Sequence, residues 1–511
     1  MSIYYSNPVL PGFYPDPSVT RAGDDYYMVC SSFEYFPGVP IFHSRDLIHW
    51  QQIGHVLDRI SQLDLRERCS SDGIYAPSIR YHEGIFYMIT TDVRGIGNFY
   101  VTADNPAGPW SDPIRIPYGG IDPSLMFDDD GKVYVTTQQG ADYDSHVIQY
   151  EIDIATGEAL TEPVAIWTGD GGPWTEGPHL YKINRMYYIM SASGGTAKEH
   201  REIIGRSNSP YGPFERFPEP ILTHNRIEHP IQYLGHADLI EDGNGDWWAV
   251  FLGVRLTEAG YSVLGRETFI APVTWNDQGW PMIDNNEGTV QLEMTAERVA
   301  GITDMPIYEG IDDFNNSELS MSWISVRNPA DGSWSLNERI GWLSLYGQAA
   351  GLSDVSQISF VGRRQQHFQA EWSTLLEFKT AMDGEEAGLS ARRDERAHYE
   401  ICLKQRGGQR LIAAHLTIGG ETKVKAEVPV AVDRVHLKIK ADITEYELLY
   451  SLDGDNWVSL GMGEAYCLSP EGVTAGEKLC FTGVVIGLYA TGQGEASTVP
   501  AHFDWFEYRV N

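Results

Sequence analysis

An all-β chain, built as a five-bladed β-propeller followed by a β-sandwich, is the fold this sequence predicts. Three observations carry the prediction. A four-residue motif recurs five times before residue 290, an aromatic-rich segment follows each copy, and the rhythm stops near residue 295. Self-similarity at such a period is the mark of propeller blades.

The motif reads polar residue, Pro or Ala, small or polar residue, aliphatic. Its copies are Asp16-Pro17-Ser18-Val19, Ala76-Pro77-Ser78-Ile79, Asp122-Pro123-Ser124-Leu125, Gly177-Pro178-His179-Leu180 and His236-Ala237-Asp238-Leu239. The aromatics Tyr27, Tyr87, Tyr134, Tyr188 and Trp248 follow the second motif position by 10 or 11 residues and lie 47 to 60 residues apart. Each stands just past a Gly, Asp or Asn turn, in segments such as DDYYMVCSS and NGDWWAVFL. Tyr-, Val- and Ile-rich runs bounded by such turns read as strands. Further turns at NPAGPW (105–110) and SPYGPF (209–214) mark blade ends. A long sandwich with coincidental Tyr-rich strands is the competing architecture, and the fixed spacing counts against it.

The first strand of a propeller blade borders the central channel. The motif therefore places Asp16, Ala76, Asp122, Gly177 and His236 at five equivalent positions around one axis, with Glu176 beside its member. Carboxylates crowded into a channel destabilise one another unless they are solvated or used. Glycoside hydrolysis uses such a set. One carboxylic acid protonates the leaving oxygen while a second carboxylate activates water or attacks the sugar. A third negative charge keeps the acid protonated by raising its pKa. Taken singly, an Asp before Pro is an ordinary turn residue; the repeat equivalence tips the balance toward chemistry.

These readings give a propeller over 1–295, a connector over 296–312 and a sandwich of jelly-roll or concanavalin-like type over 313–511. The last contains β segments such as QAEWSTLLEFK and RVHLKIKA, and Asp453-Gly454 signals a hairpin. Composition narrows the partners. With 37 basic against 71 acidic residues the net charge is −34, which disfavours nucleic acid and anionic membranes and suits a neutral substrate. Five scattered cysteines without a CxxC pair suggest neither a disulfide framework nor a zinc site. The start shows no basic and apolar leader pattern. A cytoplasmic protein is the expectation, and self-association stays open.

The segments NPVLPGFYPDPSV, SSFEYFPGVPIFHSRDLIHW, GGIDPSLMFDDDGK, TEGPHLYK, GHADLI and RETFIAPVTW together resemble glycoside hydrolase family 43. The resemblance is to its long members, the β-xylosidases and α-L-arabinofuranosidases with a C-terminal sandwich, and covers essentially the whole chain. It implies an inverting exo-hydrolase that releases terminal α-L-arabinofuranosyl residues from arabinoxylan-type or arabinan oligosaccharides. The alternative is a β-D-xylosidase, or a bifunctional enzyme, acting on xylo-oligosaccharides. By the same resemblance Asp16 is the general base, Asp122 tunes and orients the acid, and Glu176 is the general acid. Arg266, Phe33 and Tyr75 line the sugar pocket, and Phe481 is an aromatic lent to it by the sandwich. His236 lies on the axis near a Ca²⁺ ion or a water cluster; no cofactor is required. Tyr75 stands where many β-xylosidases of this kind have Trp, a departure that leans toward arabinofuranosidases. Retaining fructosyl-transferring propellers place Arg before the second Asp-Pro, where this chain has Ile121. A non-catalytic sugar binder would not need all three carboxylates.

Overall fold

The structure, a computed structural model, describes residues 2–283, 289–297, 309–473 and 480–510. Its first part is a ring of five antiparallel sheets whose inner strands are Ser18–Ala22, Ser78–His82, Ile121–Phe127, Glu176–Ile183 and Ile231–Glu241. Each sheet runs outward through four strands in chain order, and in the second sheet Gly73–Ile74 pairs alongside. Neighbouring inner strands pack on each other, and the fifth returns to the first, closing the propeller. All five repeat aromatics sit on the second strand of their blade. The turns between first and second strands follow from local chemistry. Asn184 and Arg185, both left-handed, make the two-residue hairpin joining Ile183 to Met186, a type I′ geometry that matches strand twist.

One buried carboxylate ties the ring together. Asp238, on the fifth inner strand, is fully buried. It accepts hydrogen bonds from Ser18 Oγ (2.6 Å) and the Val19 amide (3.1 Å) of blade 1. From blade 2 it accepts Arg80 Nη1 (2.8 Å) and Nη2 (3.1 Å), and from blade 4 the Tyr181 hydroxyl (2.6 Å). Blade 3 is joined separately, through Ser124 Oγ donating to the Pro178 carbonyl at 2.6 Å. Burial opposes ionisation of Asp238. The positive charge of Arg80 and its neighbouring donors outweigh that and hold the carboxyl well below the usual carboxylate range.

The second part is a sandwich of two eight-stranded sheets. Trp372, Leu389, Ile401, Leu437, Ile486 and Phe503 fill the space between them. The two parts interlock. Tyr35–Phe36, from blade 1, adds to one sandwich sheet by pairing with Ile324–Val326. In return the Val484 amide donates to the Val263 carbonyl of the propeller at 2.9 Å. Contact is close enough to demand glycine: a Cβ on Gly483 would lie 2.3 Å from the Leu264 carbonyl oxygen. The Asn328 side chain bridges too, accepting from the Leu65 amide (2.6 Å) and donating to the Leu63 carbonyl (3.0 Å).

Of the expected connector, 298–308 lies outside the described residues. Its end is not connector: Gly310–Asp312 is a sandwich strand paired with Tyr508 to Phe506. Three residues are too few to show an alternating pattern, so the sequence gives no sign of this strand. Ser2–Ser6 pairs with Glu293–Glu297, bringing the start of the chain against the end of the propeller.

Replacing Asp238 with Ala leaves the half-buried Arg80 without its carboxylate and strands the donors of Ser18 and Tyr181, a loss expected to cost about 3–5 kcal/mol. Denaturant unfolding of Asp238→Ala should show a much lower midpoint than wild type; an unchanged midpoint would remove Asp238 from its place as the tie.

Candidate active site

The site is built by repeated slips of the ladder. Register shifts fall between Ile121 and Ser124, Glu176 and His179, and Gly235 and Asp238, at matching places on inner strands 3, 4 and 5. Within these bulges Asp122 (φ 54°), Gly177 (φ 55°) and His236 (φ 54°) are left-handed, and Asp16, just ahead of its strand, has φ 56°. Four of the five repeat-equivalent positions thus share one backbone conformation, and Ala76 does not. For a non-glycine residue it costs about 1–3 kcal/mol and persists only where surroundings enforce it. The bulge re-aims the side chain, here toward a common cleft. Gly177 has no room for a side chain, since a Cβ would stand 2.8 Å from His236 Nε2. Blade 4 therefore presents its carboxylate one residue earlier, from Glu176.

All eight residues singled out from sequence line one cleft of about 380 Å³: Asp16, Phe33, Tyr75, Asp122, Glu176, His236, Arg266 and Phe481. Asp16 is held on both oxygens. Ser31 Oγ donates to Oδ2 (2.6 Å), Arg266 Nη1 to Oδ1 (3.0 Å), and His236 Nδ1 lies 3.6 Å from Oδ1. Asp122 Oδ2 accepts the Gly177 amide at 3.1 Å, which couples it to the backbone beside Glu176.

The environment drives these carboxyls apart. Burial pushes on all of them. For Asp16 the charges of Arg266 and His236 and the Ser31 hydrogen bond prevail, holding it below the ordinary aspartate range. Asp122 is raised to about 6, by burial and by the charge of Asp16. Glu176 is raised well above the usual glutamate range, by burial first and by Asp122 second. The surroundings thus favour an ionised Asp16 and a protonated Glu176, the pairing that acid–base work requires.

The walls are aromatic and come from both domains. Phe33 stacks on Phe481 (centroids 5.8 Å apart), and Tyr75 meets each edge-on at 5.5 and 5.7 Å. The Arg266 guanidinium lies 5.7 Å from the Phe33 ring and 5.4 Å from the Phe481 ring, so the sandwich helps hold the cation that holds Asp16. The Phe481 amide is fixed by the Ser71 hydroxyl of blade 2 at 3.0 Å.

Three contributors escaped the sequence reading. Trp174 lines the cleft two residues before Glu176 and is left-handed at φ 56°; its place in PWTEG was a signal that could have been used. His200 lines the cleft with its Nδ1–H on the Tyr233 carbonyl at 2.8 Å, and burial lowers its pKa to about 4. Ser31 carries no signal, because only the fold brings it to Asp16. A Ca²⁺ ion beside His236 would take six to eight oxygens and would have to draw most of them from water. The oxygens of Asp16, the carboxylate beside the ring, already serve Ser31 and the cationic Arg266.

The glycosyl hydrolases family 43 profile matches residues 5–281, and that of the β-xylosidase C-terminal concanavalin A-like domain matches 311–509. A non-reducing end α-L-arabinofuranosidase of Bacteroides ovatus is 43% identical, over 99% of this chain and 94% of its own. A xylosidase/arabinosidase of Butyrivibrio fibrisolvens is 37% identical, over 98% of each chain. Among solved structures, the Bacteroides ovatus xyloglucan PUL GH43B superposes with a TM-score of 0.92 at 42% identity, covering both chains fully. A xylan β-1,4-xylosidase of Bacillus halodurans also gives 0.92, at 35% identity over 99% of this chain and 100% of its own.

The split in ionisation can be seen directly. The infrared difference between wild type and Glu176→Gln at pH 7 should contain a protonated carboxyl band, and that between wild type and Asp16→Asn only carboxylate bands. A carboxylate signature for Glu176 would contradict the electrostatics of the cleft.

Proposed function

Because the chain belongs to glycosyl hydrolase family 43, a family of glycoside hydrolases, we propose that it removes terminal α-L-arabinofuranosyl residues from pentose oligosaccharides. The observation that carries this is the pair of oppositely tuned carboxyls, Asp16 held low by Arg266 and Glu176 pushed high by burial and Asp122, in one aromatic-walled cleft. Phe33, Tyr75 and Phe481 offer ring faces to a neutral sugar. Glu176 gives its proton to the glycosidic oxygen as the bond to the anomeric carbon breaks. Asp16, fixed by Arg266 and Ser31, takes a proton from the water that attacks the opposite face. Asp122 acts through Glu176: its charge keeps the acid protonated, and its bond to the Gly177 amide sets the strand from which Glu176 projects. No step needs a cofactor.

The Bacteroides ovatus relative supports arabinofuranosyl as the sugar released, as does Tyr75 in the place of Trp. A β-D-xylosidase or bifunctional activity is the second reading, favoured by relatives such as the Butyrivibrio enzyme and a β-xylosidase of Bacillus subtilis. Cytoplasmic action is part of the proposal, supported by five cysteines that are all free thiols.

Side-by-side hydrolysis of p-nitrophenyl α-L-arabinofuranoside and p-nitrophenyl β-D-xyloside should favour the first; a strong reverse preference replaces it with the second reading. Proton NMR during the first minutes should show the product anomer opposite to the substrate's, and retention would remove Asp16 from the role of base.

The pH profile of kcat/KM follows from the ionisations. Activity falls on the acid side as Asp16 gains a proton, below the ordinary aspartate range, and on the alkaline side as Glu176 loses one, well above the glutamate range. Asp122→Asn removes a negative charge beside Glu176, so the alkaline limb should move to lower pH. A stationary limb with unchanged kcat would leave Asp122 a mere turn residue. Glu176→Gln should lower kcat by at least ~10²-fold on an oligosaccharide and by less on a nitrophenyl glycoside, whose leaving group needs little protonation. Equal losses on both would count against the acid.

A further inference from the structure

Behind the wall of Phe33 and Phe481, the interface between the domains buries three arginines that the reaction does not use. Arg364, Arg392 and Arg393 are at most 2% exposed. None of their nine guanidinium nitrogens has a hydrogen-bond partner among the described residues. Register fixes where two of them point. Arg364 and Arg392 both stand opposite Val485, on the strands that flank it, so these two side chains and that of Val485 share one face of the sheet. That face meets the propeller, since Val485 packs in one cluster with Phe13, Phe33 and Tyr35. The Arg364 guanidinium lies 4.6 Å from the Phe13 ring and 4.4 Å from the Tyr14 ring. The buried hydroxyls of Tyr35 and Thr482 lack a partner among the described residues as well. All three arginines also lie within electrostatic range of the Tyr35 hydroxyl.

Countercharge is scarce there. Glu395 comes within 3.6 Å of Arg392, but it also binds Arg327. Among the described residues no carboxylate comes within ion-pairing distance of Arg364 or Arg393. Glu34, beside Tyr35, is pushed by burial and by Glu395 toward its neutral form while Arg392 pulls the other way, and its Oε1 has no partner among the described residues. Water could satisfy the donors but not the charge, and an uncompensated buried cation costs several kcal/mol. An anion answers both needs. Full burial favours a weakly hydrated monovalent ion over sulfate or phosphate, whose desolvation penalty rises steeply with charge.

We propose that a small monovalent inorganic anion, chloride being the natural one, binds between propeller and sandwich on the guanidiniums of Arg364, Arg392 and Arg393, with the Tyr35 hydroxyl donating to it. The ion ties the sandwich to the segment that carries Phe33, and so braces the pocket wall from behind.

The test uses the whole enzyme, dialysed into gluconate and returned to chloride, bromide or sulfate at constant ionic strength. Tm should rise saturably with chloride and bromide, but not with sulfate, and Arg364→Met should abolish the saturable part. Crystals of the wild type grown in bromide should show an anomalous peak among the three arginines, a readout that does not depend on how the variant folds. A Tm that is indifferent to halide, or that climbs without saturation alike in every salt, would overturn the proposal. So would a bromide map with no peak at the cluster. Neither result bears on the sugar chemistry, which uses none of these side chains.

Discussion

The molecule hangs on the carboxylate of Asp238. Five sheets packed round an axis gain stability from apolar faces, but apolar contact slides easily and sets no rotation of one blade against the next. Directional bonds from blades 1, 2 and 4 converge on this one buried anion, and Arg80 supplies the opposite charge that makes burying it tolerable. The third motif position, which the repeat fills with Ser, Ser, Ser, His and Asp, is therefore the structural half of the motif. The first position is the chemical half. The two lie two residues apart in the chain, so whatever fixes the tie also fixes the cleft.

That proximity accounts for the backbone of the site. Asp16, Asp122 and His236 adopt a left-handed conformation that only a rigid surrounding sustains. The strain aims three side chains at a common point without long, flexible linkers between catalyst and scaffold. It also concentrates charge in a buried place, which is why the carboxyls titrate so differently. Arg266 and Ser31 take up the charge of Asp16, leaving Asp122 and Glu176 to compete for what remains.

What the sequence revealed follows the range of the interactions involved. The repeat was plain because each blade is a local unit with its own turn and aromatic strand. The carboxylates Asp16, Asp122 and Glu176 were reached through that repeat, and Arg266, Phe33 and Phe481 through family resemblance. Ser31 and His200 were not, because each meets its partner through tertiary packing that leaves no periodic trace. The same holds for the strands Tyr35–Phe36 and Gly310–Asp312, too short to show alternation yet decisive for how the domains join. A shared motif position also said nothing of backbone geometry: Ala76 aligns with the others and lacks their left-handed turn.

The placement of Phe481 has a consequence for how the protein comes into being on the ribosome. Every polar group of the cleft has been synthesised by Arg266, but the ring that backs Arg266 arrives 215 residues later. At about 5–20 residues per second that interval is roughly 10–40 s. During it the propeller can close its ring through Asp238 while its pocket still lacks one wall. The catalyst is thus finished by a segment translated long after its acid and base, so a chain released before it carries both without the enclosure they work in.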